Sequence, residues 1–162
     1  MNDTNQPNVS SNSFDSSNIF DLLGLNTLSE DEKNSILMTL VKAAVQRATD
    51  ELLLSDRLTQ QQKEEFERIV DTEKDSVALQ EKLVALYPDL PLMVNEQANK
   101  LKMEMCFAQM NDLVPSLAGK VDDTKMQNLK GFVDEAKMYK ERNDRNGFFE
   151  VFLKYKEFKS SL

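Results

Sequence analysis

The side chains that most often carry out catalysis in proteins are scarce in this sequence. It contains no histidine, and Cys106 is its only cysteine. Without histidine, neither a Ser-His-Asp triad nor a Cys-His pair can be assembled, and no imidazole is available to bind zinc. One cysteine can form neither a Cys-rich metal site nor an intramolecular disulfide. The sequence therefore excludes the classes of catalytic site that depend on these two residues.

Motifs for phosphate or calcium are also missing. The chain has neither Gly-x-x-x-x-Gly-Lys nor Gly-x-Gly-x-x-Gly, the two loops that hold phosphates. Asp144, Asn146 and Gly147 have the spacing of part of a calcium loop. That register puts Arg142 and Leu153 at the two positions where the cation requires carboxylates. We interpret the stretch as an interhelical turn in which Asp or Asn caps the last helix, and we predict no cofactor or metal.

Acidic side chains supply the remaining candidate chemistry, since they often occur in adjacent pairs. Paired carboxylates act as acid and base only when burial or crowding separates their pKa values. These pairs fall at predicted helix starts and on polar faces, so we interpret them as solvated surface. An enzyme that combines carboxylates with Lys, Arg or Tyr is the least favoured functional hypothesis. The pairs are Asp31/Glu32, Glu64/Glu65, Asp122/Asp123 and Asp134/Glu135.

One predicted helix carries an unusual cluster of methionines together with Cys106. Methionine is flexible and polarizable, so it suits either a promiscuous peptide-binding groove or an irregular core. We favour the core and keep the groove as an open alternative. The candidate interaction surface consists of Met103, Met105, Phe107 and Met110.

Aromatic and basic residues are mixed in the last predicted helix, a pattern that can bind single-stranded nucleic acid by stacking. Acidic residues interrupt the basic face, however, and the aromatic residues fall at core spacing, so we interpret them as the inner face of a helix. The net charge of −8 also opposes binding to a phosphate backbone, and no nucleic-acid partner is predicted. The aromatic residues are Phe148, Phe149, Phe152, Tyr155 and Phe158.

The spacing of apolar residues predicts an all-α fold of six to seven helices. Apolar side chains recur every three or four residues, and only four Gly and four Pro interrupt 162 residues. Ser29 with Glu32, and Thr59 with Gln62, have the capping-box spacing that starts a helix. The second helix, which carries Leu37, Met38, Leu40, Val41, Ala44, Val45, Ala48 and Leu52, is expected to be central. The fifth is expected to end near Asp112, before Pro115.

Composition divides the chain into three predicted parts. Residues 1–17 are rich in Asn and Ser, and we expect a disordered tail. Residues 18–112 are expected to form a helical domain. Residues 113–162 are expected to form a helical hairpin that packs on the helix at about 90–112, because two helices alone seldom enclose a core. That shared helix has apolar residues on two faces, which predicts that it is covered on both sides.

Residues 18–103 also resemble a known family. The features that carry the resemblance are Leu22-Leu23-Gly24-Leu25, Leu28-Ser29-Glu30, Leu58-Thr59, Phe66, and Tyr87-Pro88-Asp89-Leu90 leading into a helix. The span is similar to a family of small all-helical bacterial domains of unknown function, found mainly in organisms with reduced genomes. The resemblance implies a helical fold and brings no activity with it.

Elimination favours a non-catalytic helical module for protein–protein interaction. Such a module would bind a protein partner, or a second copy of itself, through an apolar groove or an exposed helix. The alternative is a bundle that holds a small apolar ligand in a closed cavity lined by Met and Phe. The first 20 residues lack the charge and apolar pattern of a signal peptide, and no apolar stretch approaches the roughly 20 residues of a membrane span. We therefore expect a cytoplasmic protein.

Overall fold

The computed structural model describes residues 13–162, apart from the side chain of Ser76. These residues form seven α-helices and no β-strand, which confirms the predicted all-α class. The part of the predicted tail that spans residues 1–12 lies outside the described residues. The helices are α1 (Ile19–Leu23), α2 (Glu30–Leu54), α3 (Gln60–Thr72), α4 (Ser76–Leu86), α5 (Leu90–Leu117), α6 (Asp123–Glu141) and α7 (Arg145–Ser160).

Side-chain caps start α2 and α3 where the sequence predicts them. Ser29 Oγ accepts a hydrogen bond from the Glu32 amide at 3.3 Å, and Glu32 Oε2 accepts one from the Ser29 amide at 2.8 Å. Thr59 and Gln62 make the same reciprocal pair at the start of α3. Each box satisfies backbone donors that have no partner within the helix. The capping-box predictions are therefore confirmed.

Helix α5 continues past its predicted end. It runs through Pro115 to Leu117, so the prediction that it ends near Asp112 is wrong. A proline in the last turn removes a single intrahelical hydrogen bond, which a long and well-packed helix tolerates. The chain leaves the helix two residues later, at Gly119, whose φ of 73° is readily adopted by glycine.

The chain divides into two compact units, and the division falls inside α5. Residues 28–102 form one, the middle unit; residues 13–27 and 103–162 belong to the other, the terminal unit. The predicted boundary at residue 112 therefore lies about ten residues too late. The predicted grouping also differs, because α1 belongs with the C-terminal helices rather than with α2 to α4. The contacts that hold α1 and the residues before it explain the difference.

Residues 13–17 are ordered in the terminal unit, although the sequence predicts disorder there. They form a turn, and the Phe14 side chain is 0% exposed. Its ring packs edge-on against Phe148 and Phe149, with centroid distances of 5.7 and 5.8 Å. Arg145 Nη1 also donates to Asp15 Oδ2 at 2.9 Å. Burial of one aromatic ring and one ion pair offsets the entropy of ordering this short segment.

Helix α1 is held in place by side chains from distant parts of the chain. Gln109 Nε2 donates to the Leu23 carbonyl at 2.9 Å, and Lys156 Nζ donates to the Asp21 carbonyl at 2.7 Å. Both acceptors lie in the last turn of α1, where carbonyl groups lack intrahelical partners. A helix of five residues is not stable alone, so these bonds and its buried apolar side chains maintain it. The buried side chains are Ile19, Phe20 and Leu22.

The tight turn between α6 and α7 completes the terminal unit. Asp144 Oδ1 accepts a hydrogen bond from the Gly147 amide at 3.0 Å, so Asp144 caps α7. This confirms our interpretation of an interhelical turn with an Asp cap, but α7 begins at Arg145, so Asn146 and Gly147 lie in its first turn rather than in the break. A Cβ atom on Gly147 would clash with the side chain of Tyr139, so a larger residue here would require that ring to move. The inner face of α7 is aromatic, as predicted, with Phe148, Phe149, Phe152 and Tyr155 buried.

The middle unit has an aliphatic core that covers only the second half of α2. Ala44, Ala48 and Leu52 are the residues of α2 that are buried. The expectation that the whole helix is central is therefore wrong. α2 has 25 residues, whereas α3 has 13 and α4 has 11. The apolar stripe of α2 is therefore longer than the helices that cover it. The core consists of Ala48, Leu52, Leu58, Phe66, Ile69, Leu83, Leu90 and Met93.

Candidate protein-binding groove

Exposed apolar side chains are concentrated in the middle unit. Ten large apolar residues are exposed among residues 13–162, and eight of these lie between residues 28 and 102. Exposed apolar side chains that cluster together can mark an interaction site, whereas single exposed apolar residues are ordinary. The middle unit is therefore the place to look for a binding surface. The eight are Leu37, Met38, Val41, Val45, Leu54, Val70, Val77 and Leu92.

Two of these residues help to line an apolar groove, which we call the α2–α4 groove. It has a volume of about 410 Å3 and is bounded by α2, α4 and the start of α5. Its walls are aliphatic except for Gln80. The lining residues are Val41, Val45, Leu79, Gln80, Leu83, Val84, Leu90, Pro91 and Val94.

The α2 wall of the groove is a continuation of the core stripe. Met38, Val41, Val45, Ala48 and Leu52 are separated by alternating steps of three and four residues, the spacing of a coiled-coil seam. Ala48 and Leu52 are fully buried, but Met38, Val41 and Val45 are 57%, 52% and 41% exposed. The same seam is thus covered in its second half and left open in its first.

Helix α4 forms the opposite wall because it is apolar on more than one side. Leu83 is buried in the core, while Leu79 and Val84 are half-buried and line the groove. Val84 and Gln80 also line an adjoining cavity of about 530 Å3 that reaches Val77, which is 64% exposed. The apolar surface therefore extends from α2 across α4.

The first turn of α5 forms the end of the groove. Leu90 is buried in the core, whereas Pro91 is exposed and Val94 is half-buried. Proline is tolerated at this second position of the helix because an amide in the first turn has no intrahelical partner to lose. The ring of Pro91 therefore adds apolar surface to the groove at no cost to the helix.

Three glutamates among residues 13–162 have pKa values that are lowered by hydrogen bonds. The pKa of Glu32 is lowered by hydrogen bonds from Ser29, and that of Glu65 by hydrogen bonds from Arg68. A hydrogen bond from Lys82 lowers the pKa of Glu73. A lowered pKa keeps the carboxylate ionised at neutral pH, whereas a general acid needs a raised one.

The carboxylate pairs singled out in the sequence lie on the surface. Glu65 is half-buried, and the other seven members of these pairs are exposed. This confirms their interpretation as solvated surface. Among residues 13–162, moreover, no group of three His, Cys, Asp or Glu side chains is placed to hold a metal ion.

The four residues of the methionine-rich candidate surface do not form one surface. Met103 and Met110 are 2% and 0% exposed, and Cys106 between them is 0% exposed. This confirms the core interpretation for these residues and contradicts the groove. Phe107 is half-buried beneath Lys140, whose Nζ lies 5.2 Å from the ring centroid.

Met105 lies elsewhere, in a shallow cavity of the terminal unit. This cavity has a volume of about 550 Å3 and also includes Leu25, Leu113 and Lys159. The methionine cluster therefore divides between a core and a separate surface, because side chains two residues apart on a helix point in different directions.

Sequence reasoning missed the α2–α4 groove because its residues have core spacing. Val41, Val45, Leu79 and Leu83 all repeat at three or four residues, the pattern of a buried face. One feature of the sequence could have indicated the groove. The predicted second helix is about twice as long as the third and fourth, so part of its apolar stripe could not be covered by them.

No helix within residues 13–162 has both the length and the apolar character needed to cross a membrane. The resemblance of residues 18–103 to a family of small bacterial helical domains stays a prediction. Comparison of the chain with protein-family models, with curated proteins and with solved structures found no match.

Proposed function

We propose that this protein is a non-catalytic helical interaction module that binds a helix of a partner protein in the α2–α4 groove. The observation that carries the proposal is the half-open seam of α2. Its Val41 and Val45 are 52% and 41% exposed, yet they continue a stripe that is fully buried from Ala48 onward. A partner helix seated against them would extend the core along α2.

The shape of the groove favours a helix as the occupant. Two helices, α2 and α4, form its walls, and a third helix can lie between them with apolar side chains directed into the floor. This is the helix-in-groove mode of recognition, in which the ligand presents anchors at positions i, i+3 or i+4, and i+7. The exposed seam from Met38 to Val45 is about 10 Å long, which corresponds to two turns of such a ligand.

A small apolar ligand is the weaker alternative for the same groove. Sites for small molecules are concave and bury most of the ligand surface. The α2–α4 groove is open along α2, and its lining is aliphatic rather than the Met and Phe lining expected of a ligand-holding bundle. An open aliphatic face matches an extended apolar surface on another polypeptide better.

A neutral amphipathic peptide of 14 residues, built from Leu and Gln, tests the proposal with the full chain. We expect it to bind and to lose at least about tenfold in affinity when Val41→Asp and Val45→Asp are combined. Each new carboxylate would be buried against apolar side chains, and a loss of about 1.4 kcal/mol is already tenfold. Fluorescence anisotropy of the labelled peptide measures the affinity.

The matched control combines Leu54→Asp with Val70→Asp. Both residues are exposed apolar residues of the middle unit, at 86% and 45%, and neither lines the groove. This control should bind the peptide as the unmodified protein does. Equal losses in the two double variants, with both still folded by circular dichroism, would contradict the groove as the binding site.

A further inference from the structure

We infer that the helix bound in the α2–α4 groove is cationic, with Lys or Arg flanking its apolar face. This inference rests on the proposed function and adds the chemistry of the partner. It comes from the charges that border the groove, since the lining itself is almost wholly apolar.

Acidic side chains border the groove on the side of α4 and α5. Glu81 is exposed and lines the adjoining cavity together with Val84, which is also part of the groove wall. Asp89 is exposed and directly precedes Leu90, which lines the end of the groove. A partner helix lying on α4 would have these two carboxylates beside it.

The one basic side chain of α4, Lys82, is already paired, because its Nζ lies 2.5 Å from Glu73 Oε2. Lys74 Nζ donates to the Asp71 carbonyl and keeps its positive charge, but Lys74 precedes α4 and lines neither the groove nor the adjoining cavity. Neither ammonium group is paired with Glu81 or Asp89 in this arrangement. The α4 side of the groove therefore presents net negative charge to an incoming helix.

The wider surface has the same sign. Residues 28–102 contain 15 acidic and 10 basic side chains, a net charge of −5. Lys42, next to Val41, is an exposed cation on the α2 side, so the border of the groove is polarised rather than uniformly acidic. Such a distribution attracts a cationic helix over long range and orients its basic residues toward α4.

Other occupants from the same chain fit less well. A second copy docked groove to groove would bring together two units that each carry a net charge of −5, which costs free energy. Residues 1–12 offer Met1, Pro7 and Val9 as their apolar side chains, without helical spacing, and no basic residue. A cationic amphipathic helix supplies both properties that the groove requires.

Two charged peptides complete the test with the full chain. Each has 14 residues with the Leu positions of the neutral peptide, and carries Lys or Glu in place of Gln. We expect the Leu/Lys peptide to bind at least about tenfold more tightly than the Leu/Glu peptide at low salt. The difference should shrink at 0.5 M salt, where the screening length is only a few ångströms.

Charge reversal at Glu81 locates the effect. Glu81→Lys should weaken the Leu/Lys peptide by about threefold to tenfold and strengthen the Leu/Glu peptide. The control is Glu67→Lys on α3, an exposed position that does not line the groove and changes the net charge equally. It should change either affinity by less than about twofold, the residual effect of net charge at a distance.

The outcomes separate the two proposals. If the Leu/Lys and Leu/Glu peptides bind equally, or if Glu81→Lys and Glu67→Lys act alike, the cationic partner is ruled out while groove binding stands. If the Leu/Lys peptide binds but is indifferent to Val41→Asp with Val45→Asp, it binds elsewhere, and the inference is again overturned. If no peptide responds to that double variant, the proposed function itself fails.

Discussion

The two units of this protein close their cores in different ways. The terminal unit is filled by aromatic rings, and Phe14, Phe148, Phe152 and Tyr155 are each 0% exposed. The core of the middle unit consists mainly of Leu, with Phe66 as its one aromatic residue, and the unit leaves eight large apolar residues exposed. A ring buries more surface per residue than an aliphatic side chain, so a few rings from α7 can close one unit. In the middle unit, by contrast, valine side chains on α2 and α4 remain exposed.

The difference between the units separates stability from binding. Changes in the aromatic core should destabilise the terminal unit, whereas changes along the α2–α4 groove should alter binding with little effect on folding. Hydrogen exchange read separately from peptides of each unit distinguishes these results, because each unit reports its own opening. Three substitutions and a change of pH test this separation, in order of decreasing expected effect.

Phe148→Ala should cost about 3–5 kcal/mol of unfolding free energy, the usual range for a buried Phe truncated to Ala. The ring is fully buried against Phe14 and Phe152, so a cavity would remain. Urea denaturation gives the loss, and exchange should accelerate in the terminal unit. Leu37→Ala, at a 40% exposed position of α2, should cost less than about 0.5 kcal/mol. Comparable losses in the two variants would remove the contrast between the units.

Gly147→Ala should destabilise the terminal unit by about 1–3 kcal/mol through overpacking. The new Cβ would lie 2.4 Å from the Tyr139 ring, which must then move. Gly131→Ala on α6 is the matched control, since no atom lies within 4 Å of its Cβ position. It should stabilise the protein by about 0.5–1 kcal/mol, because alanine has a higher helix propensity than glycine. Thermal melts with the same sign for both variants would contradict this packing of the turn.

Ser29→Ala should cost about 1 kcal/mol and act in the middle unit, because it removes the capping box at the start of α2. Ser35→Ala on the same helix is the control. Ser35 is exposed. The Thr39 hydroxyl donates to the backbone carbonyl of Ser35 and not to its side chain, so the substitution leaves this hydrogen bond intact. Chemical denaturation of both variants checks the prediction, and a cost at Ser35 equal to that at Ser29 would argue against the cap.

Acidification should weaken the middle unit, by the smallest of these effects. The pKa values of Glu32, Glu65 and Glu73 are lowered from the ordinary value of 4.5, and all three residues lie in this unit. Their carboxylates therefore stabilise the folded state above that value, and the contribution is lost as the pH falls through the lowered folded pKa. Denaturation at pH values from 6 to 3 measures the loss. Glu65→Gln should reduce the pH dependence, and a variant that leaves it unchanged would contradict this origin.

Local features of the fold could be predicted from the sequence, whereas features set by distant contacts could not. The caps at Ser29 and Thr59 involve residues three positions apart, so their patterns are complete within the sequence. Phe14 was missed because a single aromatic residue in a polar segment has no periodicity, and its partners lie more than 130 residues away. The boundary inside α5 was missed for the same reason, since the contacts of α1 with Gln109 and Lys156 decide it.

The sequence did not predict the position of the candidate site. Elimination pointed to an apolar groove, and the methionines of α5 were its candidate location. Met103 and Met110 proved to be core residues, whereas Val41 and Val45 line an open groove with the spacing of a buried face. Spacing identifies the apolar face of a helix, but only the lengths and positions of neighbouring helices decide how much of that face they cover.

Residues 13–25 pack against α5 and α7, and this affects the order in which the two units can fold during translation. Residues 28–102 are contiguous, so the middle unit can fold once they have left the exit tunnel. Phe14 and α1 emerge earlier, yet Phe148, Phe149 and Lys156 are translated last. Translation proceeds at about 5–20 residues per second, so residues 13–25 remain without their partners for several seconds or more. During that interval Phe14, Ile19 and Phe20 are accessible to chaperones.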